Sequence, residues 1–156
     1  MNIMENDGAY FEISDSGDFV RINLIKLAFP DAEHDWDKNW LDASVVIKAG
    51  GFSGQFNTQL MTVDFENFKQ ELKSLYTKLD GTANFITMEG NINIRMKGDG
   101  RGHIASECKL MDHPGTGNKL EVRIDIDQTY IPILIRQLDN IVQIFPITGE
   151  LQVKNE

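Results

Sequence analysis

Cysteine, histidine and proline are scarce in this chain, with one, three and four of each among 156 residues. The single thiol, Cys108, has no partner for an intrachain disulfide. A structural zinc site needs ligands paired at short spacing, and neither a CxxC nor an HExxH pair accompanies His34, His103 or His113. No metal and no other cofactor is therefore expected. Basic residues are also in the minority, with 15 Lys plus Arg against 24 Asp plus Glu and a net charge of −9. That sign opposes a phosphate backbone and removes nucleic acid from the expected partners. Long apolar runs are missing too. The densest, Ile131–Ile135, is interrupted by Pro132 and falls far short of the roughly 20 residues a membrane span needs. The opening MNIMENDGAY has neither a basic start nor an apolar core, so a signal peptide is not expected and the protein reads as cytoplasmic.

What is present is ordinary for a folded protein: 41% hydrophobic and 25% charged residues. The length matches a single domain of about 150 residues, taken as 1–156, with 1–8 flexible and 146–156 a short tail or edge strand. From Ala9 to Leu60 the hydrophobic period is mainly two. Tyr10 to Ile13 reads as a strand, the DSGD turn of Asp15 to Asp18 follows, and Val20, Ile22 and Leu24 alternate with Arg21 and Asn23. At Leu24-Ile25 the apolar phase slips by one residue, as a β-bulge or a strand buried on both faces would make it. A polar, acidic connection over residues 29 to 42 precedes Val45, Val46 and Ile47. Gly54, inside the next run, predicts a bulge or a close backbone approach.

At Thr62 the period becomes helical. Phe65, Phe68, Leu72, Leu75 and Leu79 recur every three or four residues, with Thr62 as expected N-cap, Asp64 and Glu66 at the positive end, Lys73 and Lys78 at the other, and Gly81 as expected stop. Strand patterns return through Ala83 and Phe85, Ile92 to Met96, His103 to Met111, and Leu120 to Ile126, where apolar and charged residues alternate strictly. A second amphipathic helix runs from about Tyr130 to Phe145 with Pro132 in its first turn. The expected fold is α+β, a predominantly antiparallel, twisted β-sheet of about 7–9 strands with two helices, in the order strands, helix, strands, helix.

Few constellations carry chemistry. Asp31, Glu33, Asp35, Asp37 and Asp42 space oxygens like a calcium loop, but Trp36 stands where an EF-hand needs glycine and Asp42 where it needs a bidentate Glu. Gly98 to Gly102 lacks the Lys-Ser/Thr of a phosphate loop and reads as a hairpin turn. Gly51-Phe52-Ser53-Gly54 is one residue short of a nucleophile elbow. His103 reads as a turn or edge residue, Asp125 and Asp127 as a solvated strand face, and Cys108 as a small buried hydrophobe. No nucleophile, base and orienting group emerge together, so no catalytic residues are assigned and an enzyme is not expected. The distinctive feature is the pair Trp36 and Trp40, the only tryptophans, set among Asp31, Glu33, Asp35 and Asp37. Aromatic anchors ringed by charge describe a protein-binding surface. Equally, Trp40 could start a strand in the core with Trp36 covering it and the acids solvated.

In the order of its blocks the chain resembles the WapI-type immunity family. The resemblance rests on Trp40-Leu41, the AGGFSG turn at Ala49 to Gly54, DFENFKQEL at Asp64 to Leu72 with LDG at Leu79 to Gly81, Met88-Glu89-Gly90, Gly102-His103-Ile104, and Asp127-Gln128-Thr129-Tyr130. Together these cover about residues 18 to 145. The resemblance implies a non-catalytic protein that binds and neutralises the C-terminal toxin domain of a bacterial wall-associated protein, a nuclease-like and basic partner, inside the producing cell. A net charge of −9 would steer it towards such a surface. Asp31, Glu33, Asp35, Trp36, Asp37 and Trp40 are the expected contacts. The alternative is a binding or scaffold module with a different partner. An edge strand also leaves self-association open.

Overall fold

The computed structural model describes residues 8–149. Its first hairpin joins β1 (Tyr10–Asp15) to β2 (Asp18–Leu27) through Ser16 and Gly17, both left-handed, with φ of 53° and 93°. Two positive φ angles give the turn whose twist matches that of the flanking strands. The phase slip at Leu24-Ile25 is a bulge: the register of β2 against β3 (Trp40–Ala49) shifts between Leu24 and Lys26. β4 (Phe52–Met61) completes an antiparallel sheet in the order β1-β2-β3-β4. After α1 (Thr62–Lys78), β5 (Asp80–Ile86), β6 (Ile92–Asp99), β7 (His103–Met111) and β8 (Lys119–Asp127) form a second sheet, again in chain order, and α2 (Ile131–Ile144) ends the series. The expected order of strands and helices holds, with the eight strands divided equally between two antiparallel sheets.

Local boundaries differ where a distant group sets them. Thr62 is not the N-cap of α1. Met61 is still paired with Trp40 in the sheet and takes the cap position, leaving the Thr62 hydroxyl inside the first turn, buried and without a hydrogen-bond partner. Gly81 is not the helix stop. Leu79 ends α1 in the left-handed conformation, φ 58°, its N–H donating to the Leu75 carbonyl at 2.7 Å, while its own carbonyl accepts from Gly100 N–H at 2.8 Å. That carbonyl crosses β6 at Gly98, where a Cβ would sit 2.3 Å from it. Gly54 marks no bulge, since the β3–β4 ladder runs unbroken from Trp40↔Met61 to Ala49↔Phe52, and a Cβ there would touch only Ile47 Cδ1 at 3.9 Å. Residues 145–149 form no strand; the rest of the expected edge strand, and the N-terminal segment 1–7, lie outside the described residues.

One buried cluster runs through both sheets and both helices. At its centre stand Phe11 of β1, Phe65 and Phe68 of α1, and Phe85 of β5, each at most 1% exposed. Phe68 meets Phe11 edge-on at 5.4 Å and Phe85 at 5.4 Å, and Phe65 lies 4.9 Å from Phe85. The stripe of α2, Ile131, Leu134, Leu138 and Ile141, is fully buried. Lys69 bonds α1 to α2, its Nζ 2.8 Å from Asp139 and 2.9 Å from Glu66. Burial opposes the charge on Lys69, but the two carboxylates outweigh it and hold its pKa above the ordinary value. α2 also returns to β1: the Tyr130 hydroxyl donates to the Glu12 carbonyl at 2.7 Å and Glu12 N–H donates to Gln137 at 2.9 Å.

Asp64, in the first turn of α1, accepts a hydrogen bond from Met88 N–H at 3.1 Å. Burial nevertheless pushes its pKa up to about 6, the backbone bond only partly opposing the rise. Folding thus favours the protonated acid. The stabilisation is full below the unfolded pKa and is lost as pH rises through about 6. Two outcomes follow. Phe68→Ala, which empties a contact between two aromatic neighbours, is expected to cost about 3–5 kcal/mol in urea unfolding. Asp64→Asn, which keeps an acceptor for Met88, is expected to gain about 2 kcal/mol over the wild type well above pH 6 and nothing near pH 3; paired urea titrations at the two pH values check this.

Candidate partner-binding site

The acidic connection is built around a short 3-10 helix, Asp35–Asn39, not an open loop. Ala28 N–H donates to the Trp40 carbonyl at 2.9 Å, so the two strands close the base of the segment. Ala32 N–H donates to Phe29 and Asp37 N–H to His34, making two successive turns. No side chain caps the start of the 3-10 helix; its first turn carries Asp35 and Asp37, whose charges suit the positive end of the peptide dipoles.

Asn39 holds this segment in place. It is 1% exposed, and its amide nitrogen reaches the carbonyls of Asp35, Trp36 and Thr148 at 3.2–3.3 Å, while its side-chain oxygen accepts from Thr148 N–H at 2.7 Å. One buried amide therefore satisfies backbone groups of the 3-10 helix and of the segment following α2. Gly149 lies against Asp35: a Cβ there would approach the Asp35 Cβ to 2.5 Å. Neither Asn39 nor this contact carried a sequence signal, because the bonded residues are 109 positions apart.

The expected contact residues separate into three groups. Asp31 and Asp37 line an open hollow together with Phe29, Pro30 and Ala32. Phe29 is 45% exposed and Trp36 39%, so the segment presents two aromatic rings beside its carboxylates. Phe29 was absent from the sequence-based set. Glu33 and Asp35 are both exposed on the same segment, Asp35 with Lys38 Nζ at 3.5 Å and with Gly149 packed beside it. Trp40 stands apart as the first residue of β3. It pairs with Met61 and falls on the parity opposite the buried Leu41, Ala43 and Val45, half-buried rather than in the core.

The other chemically suggestive residues are placed elsewhere. His103 opens β7 with its Nε2 3.5 Å from Asp125, a carboxylate that Arg123 also holds at 3.0 Å. Asp127 caps the turn into α2, accepting from the Thr129 hydroxyl and from Thr129 N–H at 2.8 Å, and these two bonds lower its pKa. Cys108 is buried in β7, and burial pushes its thiol up to about 12, which keeps it protonated and unreactive. No group of three or more His, Cys, Asp and Glu side chains able to hold a metal ion occurs among the described residues. No helix among them is long and apolar enough to cross a membrane.

What the acidic segment can do chemically is bind. A segment that offers carboxylates beside two partly exposed rings carries the aromatic and charged groups that protein interfaces use. The immunity protein WapI-like family matches residues 10–146, and the chain belongs to that family. No curated protein matches the chain. The buried amide yields a direct test: Asn39→Ala leaves the Thr148 N–H and the Asp35 and Trp36 carbonyls without their partner and is expected to cost about 1–3 kcal/mol, with faster amide exchange confined to residues 29–40 and 145–149.

Proposed function

We propose that this chain binds and neutralises a cognate toxin domain with a basic, nuclease-like surface, in the cytoplasm of the bacterium that makes both. Membership of an immunity family over residues 10–146 carries the toxin-neutralising part of this reading. The basic character of the partner is supported by the net charge of −9 and by the placement of Asp31, Glu33 and Asp37 around exposed rings. A nuclease surface must attract phosphate, and an inhibitor of opposite sign both steers towards it and competes for its positive groups.

Trp36, with Phe29 beside the hollow, is the anchor in this reading, and Asp31, Glu33 and Asp37 form the charged rim. Asp35 stays exposed on the rim as well, paired with Lys38 at 3.5 Å. Trp40 belongs to the base of the segment, at the start of β3 directly after the 3-10 helix.

The test is co-expression with the toxin domain encoded beside this gene, scored by growth, followed by affinity measurements at two salt concentrations. Trp36→Ala is expected to weaken binding by about 2–4 kcal/mol, mostly through faster dissociation. The combined Asp31→Asn, Glu33→Gln and Asp37→Asn variant is expected to slow association and flatten the salt dependence while leaving dissociation nearly unchanged. Undiminished affinity in a protein carrying all four substitutions would move the interface elsewhere.

A further inference from the structure

Two four-stranded sheets have four free edges, and the chain treats one of them differently from the other three. The edge of β1 is covered by α2, where Gln137 accepts from Glu12 N–H and Tyr130 donates to the Glu12 carbonyl. The edge of β5 is covered by α1: Glu71 accepts from Asn84 N–H at 2.9 Å, and Asp64 takes Met88 N–H just beyond the strand. β8 carries Lys119, Glu121, Arg123, Asp125 and Asp127 along its length. Side-chain caps, a covering helix and edge charges are the recognised ways in which proteins prevent an edge from pairing.

β4 has none of these. Its ten residues, FSGQFNTQLM, contain no charge and no proline, and they lie within Ala49–Val63, the longest uncharged stretch of the chain. Its ladder with β3 is unbroken by any bulge. Beyond the β3 ladder and the α1 cap at Met61, no hydrogen bond to its backbone is found among the described residues, and the one bond from the second sheet goes to a side chain, Asn91 Nδ2 donating to Thr58 Oγ1 at 3.0 Å. Every second residue therefore directs its N–H and C=O outward. Phe52, on the face continuous with the core, is 68% exposed.

We propose that β4 pairs antiparallel with β4 of a second copy of this chain, joining two four-stranded sheets into one of eight. Two features favour a second copy as the occupant. A two-fold axis perpendicular to the sheet pairs only residues of equal parity, so the row Phe52, Gly54, Phe56, Thr58 and Leu60 of one copy, uncharged and mostly apolar, meets the same row of the other. The opposite row, Ser53, Gln55, Asn57 and Gln59, meets itself as neutral hydroxyls and amides able to bond across the strands. The second feature is charge. Each copy carries −9, and an edge bearing any of it would repel itself, whereas this edge bears none.

Sedimentation equilibrium from micromolar to millimolar concentration tests the pairing, with variants at Gln55 and Asn57, both exposed on the face away from the core. The wild type is expected to dimerise. Q55K/N57K and Q55E/N57E place like charges opposite one another and are each expected to sediment as folded monomers, while an equimolar mixture of the two regains the dimer. A wild type that stays monomeric throughout, or variants that dimerise as well as the wild type, would overturn the proposal. Loss of toxin protection in variants of a monomeric wild type would assign the edge to the partner instead, and would equally overturn it.

Discussion

The contact on which the molecule depends is the meeting of four phenylalanine rings from three separate parts of the chain. Phe11 comes from the first strand, Phe65 and Phe68 from the helix after the first sheet, and Phe85 from the first strand of the second sheet. Each sheet has one apolar face, and neither can stay in water with that face uncovered. α1 fills the gap with the two rings it carries three positions apart, so it touches both sheets at once. The second helix then has a fixed platform. Lys69 draws it against α1 through Asp139, and Tyr130 and Gln137 bring it back to β1. The last helix thus closes on the first strand.

That closure gives the helices a second role. Besides covering the core, each one supplies polar side chains to the outer backbone of a strand or its continuation: Gln137, with Tyr130 at the cap of α2, to β1, and Glu71 to β5 with Asp64 to Met88 just beyond it. For Asp64 this placement works against its charge. The positive end of α1 favours an ionised carboxylate, and Met88 N–H donates to it, yet desolvation by burial raises its pKa to about 6. Desolvation of this partly buried carboxylate outweighs the hydrogen bond that it accepts. A helix that blocks an edge thereby stores a modest pH dependence in the fold.

Sequence periodicity was informative wherever burial acts on one face only. The helical stripes from Phe65 to Leu75 and from Ile131 to Ile141 are buried as their spacing predicts, and the slip at Leu24 is a true bulge. Alternation states which side of a strand is apolar but not which strands share a sheet, so the division into two sheets was not legible. Boundaries failed where the deciding partner is remote. Leu79 ends α1 because Gly100 and the bare backbone at Gly98 receive its carbonyl, and Met61 displaces Thr62 because Trp40 holds it in the ladder. The candidate site was legible as a composition, tryptophan among acids, but its support was not. Asn39 looks like any loop amide until Thr148 is brought beside it.

This support bears on how such a surface could recognise a partner tightly. An acidic loop free to rearrange would lose conformational entropy on binding for every side chain it fixed, about 0.5–1.5 kcal/mol each. Here the backbone from Asp35 to Asn39 is already held by a buried amide with four hydrogen bonds, two of them to this segment and two to Thr148, and the base is closed by Ala28 and Trp40. The ordering cost falls on folding and is absent from association. Exposed carboxylates can then differ from one protein to another without disturbing the scaffold, because the group that fixes the segment is buried and makes no use of them. In the proposed interface, specificity and stability are assigned to different residues of the same short helix: Asn39 inward, and Trp36 with Asp37 towards the surface.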